Sequence, residues 1–206
     1  MSGYLGVTKS VTAEFTEQRS RFIGYSFPVE NEEQARAEIA KIRKEHSLAT
    51  HVCFAFIADK AGNIMRYSDD GEPQGTAGIP ILEVLKNKGV KETGVAVVRY
   101  FGGIKLGAGG LVRAYAYAAG LSLDANEIKE SALAAFCAVR FSYELSDAFR
   151  KVAERENLTP EYEYAEEITA RFPVRTENAQ SLFLRITDAL LGKVTCRVER
   201  EEYFRF

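Results

Sequence analysis

Early in the chain, apolar and polar positions alternate with a period of two. Val11 to Glu17 and Phe22 to Val29 therefore predict two strands, and Gln18-Arg19-Ser20 between them predicts a hairpin turn. The period then lengthens. Ala35, Ile39 and Ile42 share one helical face ending near His46, with Asn31 as N-cap and Gln34 three residues on completing a capping box. His51 to Ile57 is a short, mostly apolar strand, and Ile64 to Tyr67 predicts a returning strand. Ile79 to Lys88 predicts a helix, with Pro80 in its first turn and Gly89 at its end. The β-branched run Gly94 to Tyr100 predicts a central strand. Leu111 to Leu123 predicts a helix rich in Ala and Tyr.

Asp124 to Ser131 is polar and interrupts this pattern. It places a domain boundary there, giving domains 1–128 and 129–206. The second part predicts a strand (Ala132 to Tyr143), a helix from Asp147 capped by Ser146, and a paired strand region from Glu161 to Arg175. A helix from Glu177 capped by Thr176 and a last strand from Val194 complete the order βαββαβ, the ferredoxin-like pattern. The fold class is therefore α+β in two domains.

Composition narrows the function. Of 206 residues, 27 are Lys or Arg and 29 are Asp or Glu. Neither part is a basic module, so a nucleic-acid role has to rest on a local patch rather than on overall charge. The 3 cysteines lie far apart in apolar or alternating runs, which predicts buried free thiols rather than a disulfide framework. With 2 histidines and no CxxC, no zinc site is expected. The N-terminus lacks the basic start and apolar run of a signal peptide, and no segment is long and apolar enough to span a bilayer. A cytoplasmic protein without membrane contact is the expectation.

Candidate chemistry concentrates between Val97 and Arg113. Gly102, Gly103, Gly107, Gly109 and Gly110 fall between a buried strand and a helix. Glycines so clustered imply positive φ or close approach of another backbone or a ligand. The helix start offers free amides near Gly109, Gly110 and Leu111, and Arg99, Lys105 and Arg113 surround them. Three cations around free amides suit a phosphate or an RNA backbone. Neither GxxxxGK[ST] nor GxGxxG is present, so ATP or dinucleotide use gains no support and no cofactor is expected. Tight strand–helix packing is the other use of such glycines. A second stretch, Ser68 to Gly78, is long, acidic and Gly/Pro-rich. Asp69, Asp70 and Glu72 there could hold Mg²⁺ beside a phosphate or simply form a solvated turn, with Thr76 nearby. His51 is a candidate general base, or a structural histidine at a strand end.

Three segments carry a resemblance. Val97 to Gly107, Ala49 to Phe56 and Asp69 to Gly78 resemble, in order and separation, the motifs of the IMPACT family and its bacterial branch. The resemblance implies an N-terminal domain similar to the second domain of ribosomal protein S5, and a C-terminal domain similar to the last domain of elongation factor G (domain V). Both relatives touch ribosomal RNA. Eukaryotic members regulate translation by competing for the activator of a starvation-responsive kinase. That partner system does not carry over to a two-domain bacterial-type chain, and the family offers no catalytic residues to transfer. The resulting expectation is a translation-associated regulatory protein that binds RNA, the ribosome or a translation factor through the Gly-rich loop. The alternatives are an enzyme acting on a phosphorylated small molecule, with metal on the Asp69–Glu72 loop, and a scaffold whose glycines serve packing alone.

Overall fold

The computed structural model describes residues 3–206. It divides the chain into two compact units, Tyr4–Glu130 and Ser131–Phe206 with Gly3.

The larger unit is built on an antiparallel sheet of β2 (Val11–Glu17), β3 (Ser20–Pro28), β4 (His51–Ile57), β5 (Met65–Ser68) and β6 (Thr93–Tyr100), in the order β2-β3-β6-β4-β5. The β2–β3 turn is tight. Gln18 and Arg19 both take positive φ, as a two-residue hairpin matching strand twist requires. The preceding short strand β1 (Tyr4–Val7) lies outside this sheet.

The apolar run in β6 follows from burial on both faces. Val95 and Val97 point into a core shared with α2 (Gly78–Asn87) and α3 (Gly107–Asp124). Ala96 and Val98 point into a second core beneath α1 (Glu32–Glu45), with Ile39 and Ile42. Each fully buried Val or Ile of this kind stabilises the fold by about 1.5–3 kcal/mol. α3 lies unusually close to the sheet. A Cβ at Gly24 would sit 2.3 Å from the carbonyl oxygen of Ala118, so only glycine in β3 allows the helix this depth. At the start of α1, Asn31 accepts from the Gln34 amide at 2.9 Å. The Gln34 side chain reaches back to the amide of Glu30, one residue before the expected partner.

The smaller unit continues from the same chain without a linker. β7 (Ile128–Phe141) begins inside the stretch read from sequence as a break, and half-buried Ile128 and Glu130 flank exposed Lys129. The polarity of that stretch had hidden a period-two pattern. α4 (Ser146–Arg155), β8 (Glu161–Tyr164), β9 (Ile168–Arg175), α5 (Thr176–Ala189) and β10 (Val194–Arg205) follow. The strands run β10-β7-β9-β8, all antiparallel. Alternate residues of β7 and β9 (Cys137, Val139, Phe141, Ala170, Phe172) pack with Phe149 and Val152 of α4 and Leu182 and Ile186 of α5.

Both helix caps expected in this unit are corrected. A 3-10 turn, Tyr143–Leu145, runs straight into α4 and places Ser146 inside the helix. β9 likewise runs directly into α5, so Thr176 is helical and its Oγ1 has no hydrogen-bond partner. Among the described residues, no helix is long and apolar enough to cross a membrane.

Candidate functional site

The three motifs meet in one place, and buried polar contacts join them. In the sheet register, His51 of β4 stands opposite Arg99 of β6. The Thr50 amide donates to the Arg99 carbonyl at 2.8 Å, and Thr50 Oγ1 accepts from the Phe101 amide at 3.0 Å. The first and third motifs are thereby fastened together. The acidic loop is fastened to the first motif by Asp70, whose carboxylate accepts from the Val52 amide at 2.6 Å and pairs with Arg43 of α1 at 2.9 Å. His51 Nδ1 donates to the Asp70 carbonyl at 2.8 Å, which fixes the proton on Nδ1. The Cys53 thiol donates to the Asp69 carbonyl at 3.0 Å.

The third link is an ion pair. Arg99 Nη1 lies 2.6 Å from Glu72 Oε1, and the two residues are 5% and 8% exposed. Glu72 Oε1 also accepts from Tyr115 of α3 at 2.7 Å. Arg99 is further held between the rings of Phe22 and Phe101, 5.4 and 5.3 Å from their centroids. Ser20 Oγ stands 3.4 Å from Arg99 Nη2 and accepts from the Gly102 amide at 3.2 Å. Arg99 is therefore not the exposed cation that its place at a strand end implied. It is the buried post to which the acidic loop and the glycine loop are tied. Such a pair is held by geometry: two desolvated charges persist only with close contact and further hydrogen bonds.

The acidic loop does not gather its carboxylates around an ion. Asp69 accepts from the amides of Gly75, Ala77 and Gly78 at 2.8, 3.0 and 2.8 Å, closing the start of α2. Burial acts to raise its pKa, but these three bonds outweigh it and hold the carboxyl below the usual carboxylate range. Asp70 turns to Arg43, Glu72 to Arg99, and Thr76 Oγ1 to the Pro73 carbonyl at 2.6 Å. Among the described residues, no three His, Cys, Asp or Glu side chains converge as a metal site. Of the two readings of Asp69, Asp70 and Glu72, the metal gains no support from this geometry, since each carboxylate is already committed to a different partner. Burial pushes the Cys53 thiol up to about 12 and raises the Tyr115 phenol, so neither ionises near neutrality.

The glycine segment is also placed differently from its reading. α3 starts at Gly107, a full turn before Leu111. Gly107, Gly109 and Gly110 form its first turn, where burial of Leu111, Ala114 and Tyr115 overrides the poor helix propensity of glycine. The amides without intrahelical acceptors are those of residues 107–110, and no side chain caps them. Gly102 is required by close approach, since a Cβ there would lie 2.0 Å from the backbone carbon of Arg19. Gly103 and Gly107 take φ of 84° and 72°. The loop is thus seated against the β2–β3 hairpin tip.

Lys105 and Arg113 remain outward. Both are exposed, as are Phe101 and Ile104. A groove of ≈ 350 Å³ runs from Phe15 and Gln18 on the hairpin to Gly110, Arg113 and Tyr117 on α3. Tyr115, Ser20 and Phe22 were not singled out from sequence. Tyr115 had only a weak signal, as a large phenol in an otherwise small-residue helix.

Comparison with known proteins places this arrangement. Residues 18–123 match the Impact N-terminal domain family. The chain is 36% identical over 94% of its length to IMPACT family member YvyE of Bacillus subtilis, covering 89% of that protein. It is 43% identical over 56% of its length to IMPACT family member YigZ of Escherichia coli, covering 57% of it. It is 36% identical over 45% of its length to Protein IMPACT of Mus musculus, covering 30% of it. The crystal structure of a hypothetical protein superposes with a TM-score of 0.64 at 28% identity, over 98% of this chain and 100% of the other.

Proposed function

Because this chain belongs to the IMPACT family, we propose that it is a cytoplasmic regulatory binding protein of the translation apparatus. It engages RNA, the ribosome or a translation factor through the loop Phe101 to Leu106 and the first turns of α3. The observation that carries this reading is the division of labour among the cations. Arg99 is consumed inside, holding the loop, whereas Lys105 and Arg113 stand exposed beside uncapped helix amides. Rigid amides with flanking cations suit a phosphate of an RNA backbone, and exposed Phe101 and Tyr117 offer flat apolar surface beside them. The role in translation comes from the resemblance of the three motifs, the contact chemistry from the geometry.

The strand order β10-β7-β9-β8 with both helices packed on one face supports reading the smaller unit as ferredoxin-like, similar to elongation factor G domain V. The larger unit is read as similar to ribosomal protein S5 domain 2. Co-sedimentation of the purified chain with ribosomal subunits tests the reading. Wild type should pellet with subunits, and Lys105→Ala/Arg113→Ala should remain in the supernatant. Equal pelleting of the two proteins, or none by wild type, would remove the proposed face.

A further inference from the structure

The groove between the β2–β3 hairpin and α3 holds two groups that phosphate contact leaves unused. Glu17, the last residue of β2, and Gln18, in the turn, line one side, and Gly110, Arg113 and Tyr117 of α3 line the other. Glu17 and Gln18 are exposed, and among the described residues no hydrogen bond or ion pair engages either side chain. Arg113 does not pair with Glu17. Its guanidinium turns back over the first turn of α3, with Nη1 3.7 Å from where a Cβ of Gly109 would stand.

Between these polar walls the groove is aromatic. Phe15 stacks on Phe22 with centroids 5.2 Å apart, and the Tyr117 ring meets Phe15 edge-on at 4.9 Å. Tyr117 is thus fixed by Phe15 and still 56% exposed. At ≈ 350 Å³ the groove is at the small end of ligand-sized sites, which suits one planar base and not a duplex.

A carboxylate on a face that takes phosphate repels the backbone. Glu17 is accounted for if it meets donors instead, and in RNA those lie on the base edges. An ionised carboxylate accepts at two oxygens and donates nothing. Guanine alone among the four bases sets two donors side by side, N1–H and N2–H, which a carboxylate takes together. Adenine and cytosine each offer an amino group beside an acceptor ring nitrogen, and uracil one N–H between two carbonyls. Each of these turns a lone pair toward the carboxylate. Gln18 adds an amide donor of the kind guanine O6 requires.

We infer that the groove receives an unpaired guanine of single-stranded RNA, stacked on Tyr117 with its Watson–Crick edge on Glu17 and its phosphate toward Arg113. The inference rests on the reading of the loop and α3 as an RNA-binding face and adds a base preference to it.

Fluorescence polarisation of the full chain with labelled uridine hexamers tests it, the hexamers being all-uridine or carrying one central guanosine, inosine, adenosine or cytidine. The guanosine hexamer should bind about tenfold or more tighter than all-uridine, the size of a bidentate base contact. Inosine, which lacks the N2 amino group, should lose most of that gain. Glu17→Ala should erase the guanosine preference and bind all-uridine no more weakly than wild type, since an anion has left the face. Tyr117→Ala, with an unchanged circular dichroism spectrum, should weaken every hexamer by about tenfold. Inosine bound as tightly as guanosine, or a guanosine preference that survives Glu17→Ala, would overturn the inference. Equal binding of all the hexamers that still weakens in Lys105→Ala/Arg113→Ala would remove the base preference and leave the RNA-binding face standing. No binding of any hexamer by wild type would remove both.

Discussion

Glu72→Gln is the sharpest probe of how the loop is held. The substitution keeps the shape and leaves an amide oxygen for the Tyr115 hydroxyl, but sets the Arg99 guanidinium against a neutral group. Both partners are more than nine-tenths buried and 2.6 Å apart. Removing one member of such a pair costs about 3–5 kcal/mol, mainly because a charge is left buried alone. The retained Tyr115 bond places Glu72→Gln near about 3 kcal/mol. Arg99→Met strands the carboxylate instead, loses the stack between Phe22 and Phe101, and falls in the same range. The double variant buries no charge and still satisfies Tyr115, so its cost should fall well below the sum of the singles, with a coupling of about 2 kcal/mol or more. Amide exchange of residues 95–98 in β6 reads this out, because these core amides open only when the larger unit unfolds, whatever the smaller unit does. Glu72→Gln should lower their protection by about two orders of magnitude, since about 1.4 kcal/mol is tenfold. Single variants within about 0.5 kcal/mol of wild type, or strict additivity in the double, would refute the idea that this pair joins the motifs.

Three further outcomes follow from the same contacts. Asp69→Asn should cost about 2 kcal/mol at neutral pH, because three backbone amides lose a charged acceptor. The carboxyl has a folded pKa below the ordinary 3.8, so its contribution is full above that value and lost as pH falls through the lower folded one. Acid unfolding curves of the two proteins should therefore converge at low pH, and a constant gap would contradict the assignment. Gly102→Ala should destabilise by about 1–3 kcal/mol or more in thermal melts, since its Cβ meets the Arg19 backbone. Gly109→Ala, where the Cβ meets only the far end of Arg113 at 3.7 Å, should be neutral or stabilising by up to about 1 kcal/mol; the reverse order would show the loop to be seated differently. Cys53 should resist iodoacetamide in the native chain, as a thiol pushed up to about 12 carries almost no thiolate at neutral pH. Mass spectrometry showing it labelled as fast as in urea would disprove that burial.

Much of the fold was legible because burial writes a period into the chain. The β6 run, the α1 stripe at Ala35, Ile39 and Ile42, and the Asn31 cap were each read from spacing alone. What stayed hidden depended on contacts remote in sequence. Asp124 to Ser131 resembled a linker because its alternation is carried by polar residues. The start of α3 resembled a loop because glycine has low helix propensity, and it is burial of Leu111, Ala114 and Tyr115 just beyond that carries the helix back to Gly107. The location of the site was legible from its glycines and charges. The roles were not: nothing local distinguishes Arg99, which finds Glu72 27 positions away, from Arg113, which faces solvent. Ser146 and Thr176 had the right chemistry for caps and were displaced by the turn or strand running into each helix.

In the proposed function, Lys105 and Arg113 meet the partner while Arg99 holds the loop. Binding of the full chain to ribosomal RNA, titrated against salt, tests it most directly. Lys105→Ala/Arg113→Ala should weaken binding and flatten the log–log salt dependence by about two units, roughly one for each lost phosphate contact. The charge-free pair Arg99→Met/Glu72→Gln, if folded, should keep the wild-type slope. An unchanged slope in Lys105→Ala/Arg113→Ala, or a slope lost only when Arg99 is replaced, would contradict the account.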